Sequence, residues 1–227
     1  MSADHAGEYG FDSPYVPISL ASAALCCLGV AATLFAFSSP SLGFLALAAA
    51  IVFALSTASF LWTTRRGKFE VWAELLDGLG LKGDERLLDV GCGRGAVLLL
   101  AAKRLPRGRV VGLDLWSKAD QSGNNERATL RNADREGVRD RVELRSGDMR
   151  RMPFPDQSFD VATSSLAIHN IADAAGRDQA VGEIFRVLKP GGIALLADFR
   201  HTREYQRRLT AEAGVSVERR RLGWRFW

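Results

Sequence analysis

A doubly wound, mostly parallel α/β domain behind a two-helix apolar hairpin is the architecture that this 227-residue chain predicts, on three observations. Residues 1–63 contain no Lys or Arg and only Asp4, Glu8 and Asp12 as acids, whereas the remainder holds 30 bases against 23 acids, so the two parts carry −3 and +7. Two uncharged stretches of membrane-spanning length fill most of the first part. In the second, short Val, Leu and Ile runs alternate with amphipathic stretches, the rhythm of parallel strands joined by helical crossovers.

Residues 18–37 (ISLASAALCCLGVAATLFAF) and 42–62 (LGFLALAAAIVFALSTASFLW) each match the roughly 20 residues that cross a hydrocarbon core of about 30 Å. Ser38-Ser39-Pro40-Ser41 makes a tight turn between them. Arg65, Arg66 and Lys68 follow the second stretch, while the turn carries no charge. The positive-inside rule therefore puts the basic domain, and with it the tail of residues 1–17, on the cytoplasmic side of the cytoplasmic membrane. A cleaved signal peptide would need a basic leader where Asp4, Glu8 and Asp12 stand. Gly29, Ala31, Ala32 and the alanines between 46 and 50 permit close helix contact, within the hairpin or in a homo-oligomer. A pair of soluble core helices is the alternative.

Residues 64–227 are long enough to bury a core without staples. The cysteines agree: Cys26 and Cys27 lie in the apolar part and Cys92 between two glycines, so no pair has the spacing of a zinc site or a disulfide framework, and no metal is expected. After a helix over 68–79, strands are predicted at 86–90, 109–113, 141–145, 159–163, 192–197 and 215–220. Helices are predicted at 96–104, 125–136, 175–188 and 203–213. Runs such as LLDV and IALLA suit strands buried on both faces.

Ligands of this architecture lie beyond the carboxyl ends of the strands, beside the first one. That strand leads into Asp89-Val90-Gly91-Cys92-Gly93-Arg94-Gly95, whose glycines allow positive φ and let a ligand lie on the backbone. Gly91, Gly93 and Ala96 also satisfy a dinucleotide fingerprint, with Asp114 placed 23 residues past Gly91 as a ribose-binding acid. Two details favour S-adenosylmethionine over a nicotinamide. Asp89, before the first glycine, can meet an ammonium but is of no use to a pyrophosphate. Gly147-Asp148-Met149 can place a carboxylate on an adenine amino group and a thioether on its ring.

Over roughly residues 75–221 the chain resembles the class I S-adenosylmethionine-dependent methyltransferases. LLDVGCGRG is similar to the family's first motif, GLDLW to its second-strand acid, SGDMRRMPFPDQSFD to its third-strand acid and entry to strand four, and RVLKPGGIALLADFR to its fifth strand. The PFPD and LKPGG segments resemble the branch that methylates small molecules, quinones and lipids. The resemblance implies a Rossmann-like fold and S-adenosylmethionine as cofactor. It also implies that Gly91, Cys92, Gly93 and Gly95 line the cofactor while Asp89 faces its amino-acid end. Asp114 would take both ribose hydroxyls, Leu115 or Trp116 would cover the adenine, Asp148 and Met149 would complete that pocket, and Ser164 would reach the methionine region.

His169, just after strand four, is the candidate general base for a hydroxyl or phenol acceptor, or else orders its loop. Asn170 and Asp173 read as helix-start residues, and residues 117–125 as a solvated loop, with a loop over the cofactor as the alternative. The family core also has a seventh, antiparallel strand, which this chain is expected to lack. From Arg200 onward eight arginines stand against Glu204, Glu212 and Glu218, by default an ordinary solvated face, and as a binding surface one suited to anionic lipid headgroups rather than nucleic acid. The expected function is a membrane-anchored enzyme that transfers methyl groups to a small, lipophilic acceptor. The alternatives are an inactive cofactor-binding membrane adaptor and a nicotinamide-dependent oxidoreductase.

Overall fold

The computed structural model describes residues 5–11, 13–37, 39–117, 121–212 and 214–226. Helices α1 (Tyr15–Phe37) and α2 (Pro40–Trp62) form an antiparallel hairpin. Pro40 takes the first turn of α2, where its missing N–H costs no bond. Buried Ala31, Gly43 and Ala50 line the hairpin's seam, and Phe35 meets Phe44 edge-on at 5.1 Å. Both helices are long and apolar enough to cross a membrane, and only 11% of each apolar window is buried. Ile18, Leu25, Leu45 and Leu55 instead face outward, an apolar surface that water alone would not favour.

The hairpin does not end where the charges begin. Thr63–Gly67 continue α2 as a π-helical turn, and α3 (Lys68–Asp77) carries on from it, so one continuous helix of 38 residues runs from Pro40 to Asp77. A single π turn realigns the ridges of a helix without breaking it. Here it turns Phe69, Val71, Trp72 and Leu76 into the core of the α/β domain, where each is at most 3% exposed.

Strands β1 (Arg86–Val90), β2 (Arg109–Asp114), β3 (Val142–Ser146), β4 (Phe159–Ser165) and β5 (Leu188–Ala197) form a parallel sheet in the order β3-β2-β1-β4-β5. Helices α4 (Ala96–Arg104), α5 (Glu126–Arg135), α6 (Ala174–Val187) and α7 (Thr202–Thr210) complete the fold. One sheet face packs on α3 and α4, and the other on α6 and Tyr205. The chain order reverses beside β1, which places a crevice at its carboxyl end. The register of β4 and β5 jumps from Phe159↔Leu188 to Val161↔Ile193, so 189–192 loop out and Pro190 is asked for no ladder bond.

One expectation needs revision. Residues 215–220 are extended but unpaired, so the sheet of the described residues has five strands and neither a sixth nor a seventh. They run past the open edge of β5 and leave a cavity of about 1260 Å³ against it. The chain then crosses to the α3 side, where Trp224 stacks on Trp62 at 4.8 Å and Arg225 pairs with Glu74. In the N-terminal tail, residues 5–11 dock onto α5 and the 121–122 segment.

Candidate cofactor and acceptor site

The turn after β1 holds Gly91, Gly93 and Gly95 at φ of +73°, +51° and +89°, a conformation that side chains resist. A Cβ on Gly91 would overlap Ala167 Cβ, and Met149 Cε lies 3.4 Å from the same point. Gly91 N and Cys92 N donate to Leu113 O at 2.8 and 3.2 Å, which locks the turn to the end of β2. Cys92 is buried, and burial raises its thiol well above the usual range, so it fills space rather than acting as a nucleophile.

Asp114 ends β2 beside this turn. Its Oδ2 accepts from Gly93 N at 2.7 Å, and its Oδ1 from Trp116 N at 2.6 Å and Asn124 Nδ2 at 3.1 Å. Trp116, at φ +59°, donates its indole N–H to Ser146 Oγ at 2.7 Å, while Leu115 is 63% exposed. Asp148 follows β3, and the Arg150 guanidinium clamps it and holds its carboxyl below the usual range. A ligand amino group reaching Asp148 competes with that solvent-facing pair.

Asp89 is 2% exposed and accepts from Thr163 Oγ1 at 2.8 Å. Burial pushes its carboxyl up to about 7 against the pull of that hydroxyl. The neighbouring Ser164 donates to Val90 O at 2.9 Å and so ties β4 to β1. His169 Nδ1 lies 2.9 Å from Asp198 Oδ1, at the end of β5, and its ring meets Phe199 edge-on at 4.6 Å. Asp198 Oδ2 also accepts from Tyr205 Oη at 3.1 Å and His169 N at 3.2 Å. Asp173 caps α6 by accepting from Gly176 N at 2.7 Å, as the sequence predicts.

These residues fit S-adenosylmethionine. The glycine turn is a cradle that any Cβ would narrow, and Asp89 is a buried carboxyl with no ion-pair partner among the described residues. Asn124, 3% exposed and bonded to Asp114, keeps a buried Oδ1 with no partner among the described residues. Thr163 and Asp198 are not singled out from sequence, whereas Gln121 and Asn124 fall in the polar loop that it marks without assigning them roles. The signal for Asp198 was there, because it ends a strand just as Asp114 does. Of the polar loop 117–125, residues 118–120 lie outside the described residues, and the part beyond them is folded against the glycine turn rather than solvated.

Residues 88–196 match the family described as a methyltransferase domain. A demethylmenaquinone methyltransferase of Lactobacillus johnsonii is 35% identical over 116 residues, 50% of this chain and 43% of the relative. The sterol 4-C-methyltransferase of Caenorhabditis elegans is 32% identical over 133 residues, 59% and 36% of the two chains. The crystal structure of the YcgJ protein of Bacillus subtilis is 29% identical and superposes with a TM-score of 0.47 over 57% of this chain and 50% of its own. This chain spans about half the length of the first curated relatives it matches.

Proposed function

From a chain that carries a class I S-adenosylmethionine-dependent methyltransferase domain, we propose methyl transfer to a small lipophilic acceptor that reaches the site from a membrane. One observation carries the acceptor class. The apolar hairpin runs as unbroken helix into the catalytic domain and ends against its site, where Trp72 Nε1 donates to Ser165 Oγ at 2.9 Å. Anchoring of this kind raises the local concentration of any acceptor dissolved in the bilayer. The names of the relatives, for a demethylmenaquinone and a sterol, support the same class.

When bound, S-adenosylmethionine supplies a methyl on a sulfonium, electrophilic without further activation. The protein's part is to hold the acceptor in line and exclude water, which is catalysis by proximity. Asp89 would take the ammonium, Asp114 the ribose, and the glycine turn would let both approach. His169, with Asp198 at its Nδ1, would receive the acceptor's proton at Nε2. The basic face of residues 65, 66 and 219–221 would lie against anionic headgroups.

The test is label transfer by the full chain in detergent, with methyl-labelled S-adenosylmethionine offered separately to total lipid extract and to soluble metabolites. Label in the organic phase supports the proposal. Label confined to the aqueous pool refutes the lipophilic acceptor, and none in either pool, with cofactor bound, favours an inactive adaptor.

A further inference from the structure

The N-terminal segment precedes the hairpin in sequence, yet it is fastened to the cofactor side of the domain. Ala6 N, Gly7 N and Tyr9 Oη all donate to Glu136 Oε1, at 2.9, 2.8 and 2.8 Å, and Lys103 Nζ is 2.6 Å from its Oε2. Burial alone would raise the Glu136 carboxyl, but these donors together hold it below the usual range. Asn132 accepts from Glu8 N at 2.9 Å and donates to both Glu8 O and Arg94 O at 3.0 Å. Tyr9 is buried, and the His5 ring stacks on Phe69 of α3 at 4.1 Å. A solvated tail has no use for so many directed bonds to partners more than 100 residues away.

The far end of this segment holds the loop that touches the glycine turn. Phe11 N donates to Ser122 Oγ at 2.9 Å and Ser122 N donates to Phe11 O at 3.1 Å, a reciprocal latch. Gln121 donates to Tyr9 O at 3.3 Å, while its Oε1 accepts from Arg94 N at 2.8 Å. That oxygen is 2.5 Å from the point where a Cβ on Gly93 would stand, and Gly93 N is bonded to Asp114. Gln121 and Asp114 therefore flank the same glycine. Asn124 completes the group, with its amide nitrogen on Asp114 and its buried oxygen unpartnered.

We propose that Gln121 and Asn124 form the ribose-side wall of the cofactor pocket, and that residues 5–11 hold this wall closed, so that the N-terminal segment and an S-adenosyl ligand bind cooperatively. Asn124 turns its amide nitrogen to Asp114 Oδ1 and Ser117 O, which leaves its Oδ1 as the acceptor offered to a nucleoside diol beside the Asp114 carboxylate, and Gln121, bonded to Arg94 N and Tyr9 O, shapes the wall next to it. Asn124 Oδ1 would be satisfied by such a hydroxyl, and among the described residues it has no partner. The proposal rests on the cofactor assignment and is independent of which acceptor is methylated. Coupling of this kind is reciprocal: whatever the latch adds to ligand affinity, the ligand adds to docking of the latch.

The experiment uses the full chain in detergent with S-adenosyl-L-homocysteine as probe. Hydrogen exchange of the peptide covering residues 5–11 should slow about fivefold or more at saturating ligand. Gln121→Ala should weaken binding about tenfold, and Ser122→Ala, which removes the side-chain half of the latch and leaves its backbone bond, by about threefold, while the melting temperature of either ligand-free variant stays close to wild type. Exchange that is the same with and without bound ligand overturns the proposal, as does a Gln121→Ala variant that binds like wild type. Wild-type protein that binds no S-adenosyl-L-homocysteine overturns the cofactor assignment and this wall with it. Binding without any transfer to lipid or soluble acceptors sinks the acceptor reading alone.

Discussion

Lowering the pH from about 8 to about 6 should weaken S-adenosyl-L-homocysteine binding about tenfold, through Asp89. Burial pushes that carboxyl up to about 7, the nearby Asp114 charge adds to the rise, and the Thr163 hydroxyl opposes it. With that value about nine-tenths of the free protein carries a proton on Asp89 at pH 6 and about one-tenth at pH 8. A ligand ammonium beside Asp89 selects the ionised form, so binding at pH 6 must release about 0.9 proton, equivalent to about 1.4 kcal/mol. Isothermal titration in two buffers of different ionisation enthalpy measures both the affinity and the proton release. Equal affinities at the two pH values, with no proton released, would refute the pairing of Asp89 with the ligand. The sign for the fold is the opposite. Between the unfolded carboxylate value and about 7, the native state binds more protons than the unfolded one, so ligand-free stability falls as pH rises through that window. Asp89→Asn keeps the shape and should flatten this slope.

Four further outcomes are expected. Gly91→Ala combines a φ of +73° with overlap on Ala167, and should cost about 1–3 kcal/mol in thermal unfolding and weaken cofactor binding sharply; near-wild-type behaviour would mean that the turn is free to rearrange. Trp72→Phe removes the bond to Ser165 from a buried site and should cost about 1 kcal/mol in urea unfolding, with no change counting against that link. His169→Ala should lower the transfer rate about a hundredfold or more while cofactor affinity holds, and an unchanged rate would leave His169 as a loop-ordering residue. Alkaline carbonate washing of membranes should leave the chain in the pellet, whereas its release would refute a membrane-spanning hairpin.

Where local pattern decides structure, the sequence was an accurate guide. Strands β1 to β4 begin within a residue of expectation and α4 matches fully, because strands covered on both faces must be continuous apolar runs and α4 starts at a glycine turn. Residues 215–220 alternate like a strand, but a strand exists only against a partner, and none of the described residues pairs with it. The charges at Arg65 and Arg66 read as the end of a membrane helix, yet polarity says nothing about whether the backbone goes on winding, and it does, through the π turn. Within the site, Asp89, Asp114 and the glycines stood out because the turn itself is local. Asp198 beside His169, 29 residues apart, and Glu136 under Gly7, 129 apart, are long-range pairings that no local pattern announces.

The unbroken helix from Pro40 to Asp77 also sets a height. Trp62 closes the apolar stretch, a residue type suited to the headgroup level of a bilayer, and Trp72 follows ten positions later. If the hairpin spans a bilayer up to Trp62, the helical rise would lift Trp72, and with it the Ser165 end of the site, about 15 Å above the hydrocarbon edge. A hairpin that spans the bilayer would thus act as a ruler for substrates. A molecule with a tail longer than that rise keeps its end dissolved in oil while its head is methylated, whereas a shorter one must leave the membrane altogether to react.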